Sequence, residues 1–125
     1  MCYHSGMKKI LVLTLALTLT LAFANASDWL PGFDDVPQME RTFVVADGGF
    51  VFSQAEGQII QATIYTSEVS RRRFQGFYSD AMRELGWRRV RNTTSIQKFT
   101  RGDEQLTIEI IASDPLTARF TLTPR

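Results

Sequence analysis

From residue 41 onward, apolar and polar positions alternate in short runs that read as β-strands, interrupted once by a helical period. Thr42, Phe43, Val44 and Val45 form a short strand candidate, closed by Asp47-Gly48-Gly49. Residues 50–53 and 58–66 read as a hairpin around Ala55-Glu56-Gly57. In its second strand Ile60, Ala62 and Ile64 fall on one face, and Gln61, Thr63 and Tyr65 on the other. The period then changes. Phe74, Phe77, Tyr78, Ala81, Met82 and Leu85 recur at the three- and four-residue spacing of a single apolar stripe, which predicts a helix over 70–85. Ser70 or Ser67 can cap its start, and Gly86 supplies a left-handed stop. Gly76 lies opposite the stripe and costs about 1 kcal/mol relative to alanine; the pattern gives no reason for it.

Four strand-like runs follow at 87–91, 95–101, 105–112 and 117–123. Asn92-Thr93-Thr94, Gly102-Asp103 and Ser113-Asp114-Pro115 separate them. Their spacing suits an antiparallel meander, with Phe99, Leu106, Ile108, Ile110, Ala118, Phe120 and Leu122 giving the helix an apolar face. The expected fold is α+β, one helix on one face of an antiparallel sheet, in the order β-β-α-β-β-β-β over residues 41–125. Residues 27–40 read as an extended lead-in arm, because two prolines and a glycine argue against regular structure. Trp29, Leu30 and Phe33 would either pack this arm across the domain or form an exposed aromatic patch.

Ahead of the arm lies a different pattern. Lys8 and Lys9 precede an apolar run, Ile10 to Phe23, and then Ala24-Asn25-Ala26, the n-region, h-region and A-x-A site of a secretory signal peptide. Cleavage is expected between Ala26 and Ser27, and the natural translation start is Met7. A retained membrane span is the competing reading, but about 14 apolar residues fall short of the ~20 that cross a bilayer. No Cys follows the apolar core, so a lipid anchor is not expected. The expected address is periplasmic or secreted.

The export reading changes the chemistry, because the only Cys (Cys2) and the only His (His4) lie in the segment to be removed. What remains has no disulfide, imidazole base or thiolate. That excludes zinc sites, Cys- and His-dependent triads and redox dithiols. No cofactor or metal is expected, and the chain reads as a non-enzyme. The carboxylate pairs Asp34/Asp35 and Asp103/Glu104 are the remaining acid/base or Ca²⁺ candidates, and neither has ligand-loop spacing. Asn92-Thr93-Thr94 fits a glycosylation pattern but reads better as a turn.

Charge is sorted along the chain. Residues 27–69 carry one basic and seven acidic side chains, whereas residues 70–101 carry nine basic and two acidic. Arg71, Arg72 and Arg73 open the helix, where the dipole favours Asp or Glu, at roughly a few tenths of a kcal/mol each. They are either solvated or paired with Glu68 and the acidic first segment, or else they form a docking surface for an anionic partner. Nucleic acid is not expected, because the compartment argues against it and the arginines are not interleaved with stacking aromatics.

The run Phe77-Tyr78-x3-Met82-x2-Leu85-Gly86-Trp87, followed by Phe99-x-Arg101-x2-Glu104-x-Leu106-x-Ile108, resembles small secreted bacterial domains of unknown function. In these a helix ending in Leu-Gly-Trp precedes an antiparallel hairpin. The resemblance spans residues 49–124 and implies the fold and the periplasmic address, with no activity or site residues attached. Two functional readings stay open. The leading one is a non-enzymatic periplasmic domain that binds an envelope protein or anionic lipid surface through Arg71, Arg72, Arg73, Arg88, Arg89 and Arg91. The alternative is a small-ligand or lipid carrier with a pocket between helix and sheet, lined by Tyr65, Tyr78 and Trp87.

Overall fold

A computed structural model describes residues 29–47, 49–55 and 57–125. The expected signal peptide, Met7 start and cleavage after Ala26 lie outside the described residues. No described helix is long and apolar enough to cross a membrane. Among the described residues the fold is α+β, with one helix and an antiparallel seven-stranded sheet. In chain order the elements are β1 (Phe43–Val44), β2 (Phe50–Gln54), β3 (Gly57–Thr66), α1 (Arg71–Glu84), β4 (Arg88–Asn92), β5 (Ile96–Arg101), β6 (Glu104–Ser113) and β7 (Leu116–Pro124). The short candidate at 42–45 thus forms a two-residue strand ahead of the expected hairpin.

Strands β4 to β7 form the expected meander, and β7 then pairs along β3 from Ile60↔Leu122 to Thr66↔Leu116. The last strand therefore lies in the middle of the sheet. β4 is one edge, and β1 and β2, both paired to β3, form the other.

Alternation sets the two faces. Ala62 and Ile64 of β3, Phe99 of β5, Leu106 and Ile108 of β6 and Phe120 of β7 are buried on one side. Against them α1 lays Phe74, Tyr78 and Met82, with the Tyr78 and Phe120 rings 5.0 Å apart and edge to face.

The helix ends are made as the sequence expects. Ser70 is extended, and its Oγ accepts from the Arg73 N–H. At the other end Gly86 is left-handed (φ 91°), the Gly86 N–H donates to Arg83 O and the Trp87 N–H to Met82 O, a Schellman closure. The arm packs across the helix face of the sheet: Leu30, Phe33 and Val36 are buried, whereas Trp29 is exposed. Tyr78 fastens it, donating its hydroxyl to Pro37 O (2.8 Å) and accepting from the Met39 N–H (3.0 Å).

Candidate functional site

The six arginines singled out from sequence do not share one face. Arg71 to Arg73 occupy the first turn of α1, beside the β6–β7 turn, where Arg71 Nη2 donates to Ser113 Oγ at 3.0 Å. Arg88 follows the other end of the helix, 14 residues or about 20 Å away. Strand β4 then runs back toward the helix start, and Gln75 Nε2 reaches the carbonyls of Thr93 and Thr94.

Within β4 the arginines divide between the two faces. Arg89 lies opposite buried Phe99, so it points toward the helix, and its Nη1 donates to Ser79 Oγ at 3.0 Å. A bulge between Arg89 and Arg91 then shifts the register. Arg91 therefore faces Lys98 across the strands and, like Arg88 opposite Thr100, lies on the side away from α1. Arg91 and Lys98 are like charges in direct opposition, an arrangement that costs stability unless something anionic offsets it.

Helical spacing also aligns Arg72 with Gln75 and Ser79, on the flank of α1 that faces β4. The basic groups therefore gather around one feature, the exposed edge strand β4, with Arg72, Arg83 and Arg89 on its helix side and Arg88, Arg91 and Lys98 on the other.

Between β4 and the second half of α1 lies a cleft of about 310 Å³, lined by Ser79, Arg83, Trp87, Arg88, Arg89 and Phe99. Its polar framework is anchored by Gln97, a buried residue at an inward position of β5 that sequence reasoning passed over. Gln97 Nε2 donates to Gln75 O (3.0 Å) and to Ser79 Oγ (2.9 Å). Ser79 Oγ thus accepts from both Gln97 and Arg89. The buried Trp87 Nε1 and Gln97 Oε1 have no hydrogen-bond partner among the described residues. The signal for Gln97 was present in the chain, since it stands two residues from Phe99 and shares that residue's face.

Among the described residues, no acidic side chain of the first segment pairs with the helix start. Glu68 approaches Arg41 at 4.0 Å, Asp35 pairs with Arg101 at 2.7 Å, and Asp80 pairs with Arg83 at 3.3 Å. Arg72, Arg73, Arg88, Arg91 and Lys98 make no ion pair or side-chain hydrogen bond among the described residues.

The expected pocket residues do not converge either. Tyr78 is wholly buried and tied to the arm, and Trp87 lines the α1–β4 cleft. Tyr65 is exposed on the opposite face of the sheet, with its ring 5.7 Å from that of Phe43. The space between α1 and the sheet, where that pocket was expected, is filled by Phe74, Tyr78, Met82, Phe99 and Phe120. Burial pushes the Tyr78 hydroxyl well above the usual tyrosine range, against a smaller opposing effect of the Met39 hydrogen bond.

One member of each carboxylate pair, Asp35 and Glu104, approaches Arg101 as an ion-pair partner. Among the described residues no group of His, Cys, Asp or Glu is arranged to hold a metal ion. No family model, curated protein or solved structure matches this chain.

Proposed function

We propose that this chain is a non-enzymatic periplasmic domain that docks on the anionic surface of the envelope through the basic rim of its sheet, with phosphate-bearing lipid headgroups as the partner. One observation carries the reading: edge strand β4 presents arginines from both faces, and Arg88 and Arg91 have no anionic partner among the described residues. A flat partner meets an edge strand along its rim, so side chains from both faces reach the same surface. Guanidinium groups offer forked donors that match phosphate oxygens. Val90, exposed at the bulge between Arg89 and Arg91, adds an apolar tip among cations, a combination suited to the headgroup region. Arg72 and Arg83 extend the rim onto the helix, whereas Arg71 is held by Ser113. The periplasmic address rests on the export pattern of residues 7–26.

Vesicle co-sedimentation tests the reading, with phosphatidylglycerol mixed into phosphatidylcholine in one arm and phosphatidylcholine alone in the other. Binding should require the anionic lipid and weaken as salt is raised. At about 1 kcal/mol per arginine, changing Arg88→Gln and Arg91→Gln together should weaken it roughly 30-fold. Binding that ignores salt, or that survives the double change intact, would sink the assignment.

A further inference from the structure

Six of the large apolar side chains left at the surface lie along the sheet edge opposite β4. Phe43 and Val44 of β1, Phe50, Val51 and Phe52 of β2, and Tyr65 of β3 are each between 38% and 55% exposed. Register places Phe43 opposite Tyr65, and Phe50 and Phe52 opposite Gln61 and Ile59, on the face away from the helix. Val44 and Val51 lie opposite Ile64 and Ile60 on the helix face. Among the described residues β1 and β2 pair with β3 alone, so the outer backbone rim of β2 is a free row of donors and acceptors. Proteins ordinarily guard such an edge with charge. The other edge is guarded in that way, by Arg88, Arg89 and Arg91, but β1 and β2 contain no ionisable residue.

We propose that a second copy of this chain covers this edge, with β2 pairing antiparallel to its own counterpart about a two-fold axis perpendicular to the sheet. The uncharged edge lets two copies approach without like-charge repulsion, which the arginines forbid at β4. A two-fold axis brings the same apolar residues together from both sides, so the surface is matched to itself in chemistry. Four half-exposed aromatics and two valines offer roughly 500 Å² per copy, or about 1,000 Å² in all, the lower end for a specific interface. That area describes a reversible dimer, not an obligate one. Beside the edge, an apolar notch of about 320 Å³, lined by Pro31, Val44, Val45, Phe50, Val51 and Ile60 among others, seats a side chain from the second copy.

The pairing makes one continuous sheet with both helices on the same face and both β4 rims outermost. Eleven strand spacings of ~4.8 Å separate the rims by roughly 50 Å. Two rims on one anionic surface then bind as a bivalent unit. This consequence rests on the headgroup reading above; the dimer does not.

Sedimentation equilibrium of the protein purified from its host's envelope fraction should show a reversible monomer–dimer equilibrium at micromolar concentration. Phe52→Glu should weaken the dimer at least tenfold and Phe50→Lys should do the same, while Val90→Glu on the opposite edge should not. Near-ultraviolet circular dichroism of the core aromatics identifies any variant that fails to fold, and the other then decides. On phosphatidylglycerol vesicles Phe52→Glu should lower apparent affinity tenfold or more with every arginine in place. A monomer throughout, or a dimer indifferent to both β2 changes, overturns the pairing whatever the vesicles show. A dimer broken by these changes supports the pairing even if no vesicle binds, in which case the headgroup reading alone falls.

Discussion

The guanidinium of Arg101 lies over the indole of Trp87, 4.4 Å from the ring centroid, and the same side chain donates to Leu85 O at the helix C-terminus (3.0 Å) and pairs with Asp35 of the arm (2.7 Å). One residue at the end of β5 therefore joins the sheet, the helix terminus and the arm. It is also a member of the basic block that is committed to the fold and unavailable to a partner. Arg101→Ala removes a cation–π contact, a helix-end hydrogen bond and the ion pairs to Asp35 and Glu104 at a site about a third exposed. Solvent screening discounts the ion pairs, and the sum is about 1–3 kcal/mol. Arg101→Lys keeps the charge but loses the planar stack and the fork, so it should fall between the two. Urea unfolding followed by tryptophan fluorescence measures both. A midpoint unchanged in Arg101→Ala would show that the clamp contributes nothing.

Tyr78 links stability to alkaline pH. Its folded-state pKa lies well above the ordinary value near 10, chiefly because the ring is buried. Below pH 10 neither state ionises, and the stability from this group is fully present. As pH rises further the unfolded chain releases the proton and the folded one keeps it. Stability should then fall by up to about 1.4 kcal/mol per pH unit. Tyr78→Phe should lack this alkaline limb. It should also lose about 1–3 kcal/mol at neutral pH, because Pro37 O and the Met39 N–H lose their partner. Thermal melts of both chains across the alkaline range isolate the effect, and parallel curves would refute it.

How far the sequence could be read depended on whether a feature was local. The stripe from Phe74 to Leu85, the Ser70 cap and the Gly86 stop are decided by neighbours within a few residues, and all three are as expected. The meander was legible because each turn carries its own residues. The position of β7 between β3 and β6 was not, since strand pairing over long separations leaves no local period. The arginines show the limit most sharply. Strict alternation puts Arg89 and Arg91 on one face, but the bulge between them moves Arg91 to the side of Arg88. No residue in the run announces that bulge. Gln97 was passed over for a related reason: a polar side chain at an inward position breaks the pattern used to find the core, and only the helix groups it bonds explain it.

Gly76 is the one residue of α1 that works against the helix without a visible reason. A Cβ built there would meet nothing within 4 Å, so neither packing nor close approach requires glycine. Gly76→Ala should stabilise the protein by about 0.5–1 kcal/mol through helix propensity and reduced freedom of the unfolded chain. An increase in melting temperature with unchanged vesicle binding is the expected result. A stabilised protein with impaired binding would instead assign the bare backbone at Gly76 to the docking surface.

Trp87 sets two opposing effects against each other at one buried site. Its ring fills the junction between the helix stop and β4 and carries Arg101, so Trp87→Ala should cost about 3–5 kcal/mol in lost burial and cavity formation. Among the described residues its buried Nε1–H has no acceptor, and a buried donor left unpaired costs about 1–3 kcal/mol. Trp87→Phe deletes the stranded donor along with part of the ring and leaves an aromatic face under the guanidinium. The relief offsets most of the lost volume, and the net change should stay within about 1 kcal/mol of zero. Equilibrium unfolding of the two variants decides the matter. A Phe variant nearly as unstable as the Ala variant would mean that the indole N–H is bonded in solution, and the cleft beside Arg89 would be the place to look for its acceptor.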